Sequence, residues 1–203
     1  PDPILKRWNE ELVKALQAPE VRDQLLNIGL IPEPGSRGAL REFISVNSQN
    51  MGDPQHWRLK RALAGGGALP DVGLYCLSEA RFLSGEEPVE AIGQTWSTPG
   101  DARFKEVEEH CQFILRFPSG FTASCSTGYS SHKSQMFRLN ADTAWAEMSP
   151  AYAYEGNRLR VSRQEQGREQ ASELQIEEGN QFAKELDHFA QCVRGERGQL
   201  AAC

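Results

Sequence analysis

The sequence has no glycine-rich turn of the kind that binds a dinucleotide. A dinucleotide fold needs an apolar strand, a Gly-x-Gly-x-x-Gly turn, a helix and an acidic residue about twenty positions further on. The densest glycine run, Gly65–Gly67, instead follows the charged segment Trp57–Arg61. The sequence therefore predicts no Rossmann domain in this chain and no cofactor bound by it.

Metal-binding and membrane-spanning patterns are also missing. The five cysteines form no Cys-x-x-Cys pair, and the four histidines show no metal-ligand spacing. No apolar run is long enough to cross a bilayer. The 22 basic residues are interspersed with 28 acidic ones, for a net charge of −6, so no basic stripe for nucleic acid is expected. Unpaired cysteines favour a reducing compartment, and we expect a cytoplasmic protein, or a periplasmic one if a leader has been removed.

Short apolar segments separated by turn residues dominate the middle of the chain, which is typical of an antiparallel sheet. Two helical patterns accompany the segments, one over Arg61–Ser84 and one that begins at the N-cap Asn180. The fold prediction is α+β, an open, mostly antiparallel β-sheet with helices packed on one face. The predicted strands are Leu40–Asn47, Val89–Ser97, Cys111–Phe117, Phe121–Gly128, Ser134–Asn140, Thr143–Met148, Arg158–Ser162 and Glu173–Ile176.

Residues 1–37 differ from the rest and are predicted to be a helical segment with a Pro/Gly linker, before a sheet domain at 38–203. An apolar stripe from Ile4 to Leu16 indicates one amphipathic helix, and Pro19 begins a second. The sequence of residues 1–35 resembles the C-terminal part of tripartite tricarboxylate transporter receptors. The resemblance rests on the run Ala18–Arg22 and the turn Gly29–Pro32. The alternative is a cap helix that covers an apolar surface.

Asp71 and Tyr75 are the most informative pair in the sequence. They lie four residues apart in a helical pattern that follows the glycine run, so a carboxylate and a phenol share one face. The glycines would leave room for a flat molecule beside the backbone. The alternatives are a solvated helix face or a structural Asp71 that bonds a neighbouring backbone amide.

The segment Trp57–Gly93 resembles the start of the C-terminal domain in the glucose–fructose oxidoreductase / inositol dehydrogenase / MocA family. The resemblance extends from about Ala39 to Arg197 and is strongest to the glucose–fructose oxidoreductase branch. It implies that NAD(P) binds a separate N-terminal Rossmann domain and that a sugar or polyol binds against the sheet domain. The family's catalytic lysine lies in a Glu-Lys-Pro motif, which this sequence lacks.

The resemblance also implies roles for four residues. Asp71 matches the residue that orients the substrate, and Tyr75 matches the residue that exchanges a proton with the substrate hydroxyl. Trp57 and Arg58 match positions that line the sugar pocket. We expect the substrate side of an NAD(P)-dependent sugar or polyol oxidoreductase, inactive without a nucleotide-binding domain. The alternative is a non-catalytic oligomerisation or sugar-binding module.

A homodimer is the predicted assembly, because the family's open sheet face packs against another subunit. The predicted strands carry more apolar side chains than two helices can cover. An apolar sheet face that stays uncovered favours aggregation. The side chains assigned to this surplus are Ile114, Phe117, Ala123, Cys125, Phe137, Leu139, Trp145 and Met148.

Overall fold

The computed structural model describes residues 40–165, 168–176 and 179–195. The predicted N-terminal segment, residues 1–37, lies outside the described residues. The helices are α1 (Arg61–Ala64), α2 (Leu74–Ser84) and α3 (Gln181–Val193), with a π-helical turn at Leu69–Gly73. The strands are β1 (Leu40–Asn50), β2 (Glu90–Trp96), β3 (His110–Arg116), β4 (Thr122–Gly128), β5 (Ser130–Ala141), β6 (Ala144–Met148), β7 (Leu159–Glu165) and β8 (Arg168–Leu174).

The eight strands form one open sheet in the order β2-β3-β4-β1-β5-β6-β7-β8. Strands β1 and β4 are parallel, and every other neighbouring pair is antiparallel. The predicted turn at Pro118–Gly120 joins β3 to β4, where the Phe117 N–H donates to the Phe121 carbonyl at 2.9 Å. The fold class predicted from the sequence is confirmed.

The last strand is displaced from its predicted position. It was expected at Glu173–Ile176, and the structure has it at Arg168–Leu174. Its register is set by the hairpin with β7, in which Arg168 pairs with Glu165 and Leu174 with Leu159. The pairing starts at Glu165 and Arg168 and extends through polar residues, which give little apolar signal in the sequence.

The predicted continuous helix over 61–84 is wrong, because the glycine run interrupts it. Helix α1 ends at Gly65, whose φ of 79° is left-handed and favours glycine. A Cβ at Gly67 would lie 2.0 Å from the carbonyl oxygen of Glu108. Helical structure resumes at the π turn, where Glu108 accepts hydrogen bonds from the Gly67 and Leu69 N–H groups at 2.9 and 3.1 Å.

The main core lies between α2 and the sheet. Cys76 and Ala80 of α2 pack against Phe43, and all three are fully buried. Most of the apolar side chains that the sequence pattern assigned to the open face therefore lie on the helix side of the sheet instead. Buried in the helix-side core are Phe117, Ala123, Cys125 and Phe137, with Leu139 and Met148 packed against them. Successive side chains of a strand point to opposite faces of the sheet. The sequence pattern shows this alternation but does not show which set of side chains faces the helix.

The opposite face of the sheet is open and divides into two halves. Ile92 of β2 pairs in register with Ile114 of β3, and both side chains are more than half exposed. These residues form an apolar groove with Ile44 and Val46. The half formed by β5–β8 is polar. There the Arg138 guanidinium lies 4.2 Å from the ring centroid of Trp145.

Helix α3 begins as predicted, because the Asn180 side chain accepts a hydrogen bond from the Ala183 N–H at 3.0 Å. Its first apolar side chain, Phe182, packs on Tyr154 with ring centroids 5.5 Å apart. The side chains of Leu186, Phe189 and Val193 are exposed in the described part of the chain. None of the helices among the described residues is long and apolar enough to cross a membrane.

Gly67→Ala tests the close approach of the glycine run to Glu108. The new methyl group would force the Glu108 backbone away, so we expect a loss of about 1–3 kcal/mol in the free energy of unfolding. Urea denaturation followed by circular dichroism measures the change. Gly52→Ala is the matched control, since a Cβ there meets nothing within 4 Å, and its effect should stay within about 0.5 kcal/mol. Equal effects of the two substitutions would contradict the packing argument.

Candidate functional site

A cavity of about 710 Å³ opens on the helix side of the sheet, beside α2. Arg58, Asp71 and Tyr75 line it, so the structure brings together three of the four predicted site residues. Trp57 does not line the cavity. It is 49% exposed, and its ring lies 4.5 Å from the Arg58 guanidinium carbon, where it supports that side chain from outside.

The π turn brings Asp71 to the cavity. Asp71 lies in the turn Leu69–Gly73, and Tyr75 lies in the first turn of α2. A π-helical turn is rare and occurs often at functional sites. Asn47 of β1 donates to the Val72 carbonyl at 3.0 Å, which ties the turn to the sheet. The predicted common face for Asp71 and Tyr75 is therefore present, although the backbone between them is not regular α-helix.

Asp71 is held by two side chains rather than by a backbone amide. The Tyr129 hydroxyl donates to Asp71 Oδ2 at 2.6 Å. Arg58 Nε lies 3.0 Å from the same oxygen. The contact is an ion pair whose N–H is not directed at the carboxylate, because Arg58 Nε has no hydrogen-bond partner among the described residues. Oδ2 is thus occupied, and Oδ1 remains available to a ligand.

Tyr129 is fully buried, and burial raises the pKa of its phenol well above the ordinary value. The hydrogen bond to Asp71 raises that pKa further, because a neutral phenol can donate to the carboxylate. Tyr129 therefore remains a hydrogen-bond donor at neutral pH.

Tyr75 stands over a second tyrosine. The rings of Tyr75 and Tyr152 meet edge to face, with centroids 5.8 Å apart. Tyr152 has a φ of 57°, a left-handed conformation that is uncommon for a residue with a side chain. Its hydroxyl lies 2.8 Å from Ser45 Oγ, which anchors it to β1. The Tyr75 hydroxyl makes no hydrogen bond to any described residue, so it is available to a molecule in the cavity.

Further polar groups line the cavity without a complete set of partners. Gln135 donates to Asn47 Oδ1 at 3.1 Å, yet its own Oε1 is shielded from solvent and accepts no hydrogen bond from the described residues. Lys133 adds a donor, and Tyr154 adds an aromatic wall. The Asn157 amide, which also lines the cavity, is already bonded to the backbone of Ala153. Buried polar groups are normally paired. A polar ligand in the cavity could accept a hydrogen bond from Lys133, whereas Gln135 Oε1 is shielded from it.

The glycine run does not admit a flat ligand, contrary to the sequence-based interpretation. The Glu108 carboxylate occupies the N–H groups of Gly67 and Leu69, where a phosphate would otherwise bind. A second anion there would meet a like charge. This site therefore does not fit the pyrophosphate of NAD(P).

Sequence reasoning missed Tyr129 and Tyr152. They are 58 and 77 positions from Asp71 and Tyr75 respectively, and no local spacing links them. Glu79, which also lines the cavity, could have been found, since it repeats the four-residue spacing of Asp71 and Tyr75.

Tyr129→Phe tests the buried phenol through its pH dependence. A raised folded-state pKa adds stability that is complete below the unfolded value of about 10 and is lost as pH rises above it. The advantage of wild type over Tyr129→Phe should therefore shrink by about 1.4 kcal/mol per pH unit above pH 10. Urea denaturation between pH 8 and 11 measures it. Tyr154→Phe, at a tyrosine that is 71% exposed, is the control, and an equal pH effect there would contradict the assignment.

The sequence profile of the GFO/IDH/MocA C-terminal domain matches residues 32–147, more than half of the chain. D-xylose 1-dehydrogenase [NADP(+)] of Haloarcula marismortui is 30% identical over 143 residues, which are 70% of this chain and 38% of that protein.

Solved structures show the same fold. The aldose-aldose oxidoreductase from Caulobacter crescentus, complexed with glycerol, is 36% identical with a TM-score of 0.71, over 95% of this chain and 52% of that one. A putative NADPH-dependent oxidoreductase from Desulfitobacterium hafniense has a TM-score of 0.69 at 15% identity, over 94% of this chain and 56% of that one. The chain thus spans about half or less of the length of these relatives. It belongs to the GFO/IDH/MocA oxidoreductase family and contains that family's C-terminal domain.

Proposed function

We propose that this chain provides the sugar-binding side of an NAD(P)-dependent sugar or polyol oxidoreductase. The observation that carries the proposal is the convergence of Asp71 and Tyr75 on one cavity, each with hydrogen-bonding capacity that the described residues leave unused. A polyhydroxylated ligand presents donors and acceptors along its whole length, which matches such a lining. The names of two relatives, a D-xylose dehydrogenase and an aldose-aldose oxidoreductase, support the same substrate class.

The residues divide the work on the substrate. Asp71 Oδ1 accepts a hydrogen bond from a sugar hydroxyl, while Tyr129 and Arg58 hold the other oxygen and fix the carboxylate. Tyr75 exchanges a proton with the hydroxyl at the reacting carbon, because it lines the cavity and its own hydroxyl has no hydrogen-bond partner among the described residues. Tyr152 limits the motion of the Tyr75 ring through the edge-to-face contact.

The dinucleotide comes from outside the described residues. NAD(P) supplies hydride transfer in such enzymes, and the N–H groups that follow the glycine run are already bonded to Glu108. We therefore propose that the described residues bind and orient the sugar and do not complete the reaction alone. A purely non-catalytic oligomerisation module would have no use for a cavity with this lining.

We also propose that two copies pair through the open sheet face. The apolar groove around Ile92 and Ile114 faces away from the helices, and no described element covers it. The same face of a second copy is a self-complementary partner under twofold symmetry. A specific interface of this kind buries about 1,600 Å² in total, which an eight-stranded sheet can offer.

Ligand titration tests the proposed function. Adding D-xylose or D-glucose to the ¹⁵N-labelled protein should shift amide resonances around Asp71 and Tyr75, with saturation in the millimolar range. Asp71→Asn removes a charged acceptor and should weaken binding by about tenfold. Asp187→Asn, an exposed change on α3, is the matched control and should leave the affinity unchanged.

The same series includes NADPH, which should give no saturable shifts below the millimolar range. Micromolar NADPH binding would contradict the assignment of the dinucleotide to another part of the enzyme. Sugar-induced shifts confined to residues remote from the cavity would contradict the proposed site.

Dimerisation is tested by Ile114→Asp, which places a charge in the middle of the apolar groove. We expect light scattering across a dilution series to show a dimer for wild type and a monomer for Ile114→Asp, because a charge buried in an apolar interface lacks a partner. Leu63→Asp, at an exposed leucine of α1, is the control and should remain dimeric. A monomeric mass for wild type at every concentration would reject the pairing.

A further inference from the structure

Glu79 places a second carboxylate in the sugar cavity. It is the fourth residue after Tyr75 on α2 and lines the same cavity. Four residues of α-helix correspond to about 6 Å along the axis, which is close to the length of a hexose. A hexose with its reacting hydroxyl at Tyr75 therefore brings its remote end to Glu79.

No described residue bonds Glu79. The Asp71 carboxylate has Tyr129 and Arg58 as partners, whereas Glu79 has neither a hydrogen bond nor an ion pair among the described residues. Burial raises the pKa of the Glu79 carboxyl above its ordinary value, and burial is the one cause of that shift. The Glu79 oxygens are not among the side-chain atoms shielded from solvent, so a ligand that enters the cavity can reach them.

The other charges around the cavity do not cancel Glu79. Arg58 is paired with Asp71, so it is not available at the remote end. Lys133 and Glu185 also line the cavity, but both side chains are exposed, so solvent screens their opposite charges. Among the described residues of the lining, Glu79 is therefore the partly buried carboxylate whose charge is not neutralised by a neighbour.

We propose that Glu79 is a specificity-determining residue, which accepts a hydrogen bond from the hydroxyl at the sugar's remote end. It thereby selects neutral sugars over those that carry a carboxylate or phosphate there. This inference rests on the proposed sugar-binding function and adds the charge of the substrate to it. A carboxylate accepts strongly from a hydroxyl, and the same group repels a second anion.

A matched pair of ligands tests the inference. D-Glucose and D-glucuronate differ at one end, where a hydroxymethyl group is replaced by a carboxylate. Titrations of the ¹⁵N-labelled protein should show D-glucuronate binding about tenfold more weakly than D-glucose. Glu79→Gln keeps the shape of the side chain and removes its charge, so the ratio should fall to about threefold or less. Glu173→Gln, an exposed carboxylate on β8, should leave the ratio unchanged.

Each outcome decides a different point. D-Glucose binding with no discrimination against D-glucuronate in wild type overturns the role of Glu79 and leaves the proposed function intact. An unchanged ratio in Glu79→Gln also overturns it, and Glu185→Gln then shows whether the neighbouring carboxylate sets the ratio. Failure of both sugars to bind wild type overturns the proposed function and this inference together. The comparison of D-glucose with D-glucuronate uses wild-type protein alone, so absence of discrimination overturns the inference even if Glu79→Gln does not fold.

Discussion

The backbone contact between Gly67 and Glu108 is the constraint on which the candidate site depends. A side chain at position 67 would overlap the Glu108 carbonyl, so only glycine fits there. This approach interrupts the helix and lets the Glu108 carboxylate bond the N–H groups that begin the π turn. The turn carries Asp71 and leads directly into Tyr75, so both face the cavity. The glycine run thus serves the packing of the site rather than the binding of a nucleotide.

The fold fixes one oxygen of the Asp71 carboxylate and leaves the other open. One oxygen is bonded to Tyr129, close to Arg58, and the other is left open. Tyr129 is fully buried and directly follows β4, so its position is fixed. The Asp71 carboxylate therefore cannot rotate without breaking a charge-assisted hydrogen bond. Tyr152 plays a comparable part for Tyr75, since Ser45 holds its hydroxyl. Both supports place polar groups before a ligand arrives, which lowers the entropic cost of binding.

The two faces of the sheet carry different chemistry. Phe43 and Phe137 on the helix side form the floor under α2 and the cavity. The other side presents an apolar groove beside a half in which Arg138 lies over Trp145. The proposed substrate site and the proposed pairing surface therefore lie on opposite faces, so a substitution on one face makes no direct contact with the other.

Local patterns in the sequence were sufficient for the fold class, most strand positions, the Asn180 cap, and the common face of Asp71 and Tyr75. These features depend on alternation, turn residues and helical spacing, which act over a few residues. Only the tertiary structure decided which phase of each strand faces the helix, because alternation is the same in both phases. It also decided the break at Gly65–Gly67 and the roles of Tyr129 and Tyr152. Those features arise from contacts between residues far apart in the chain, which no short-range pattern contains.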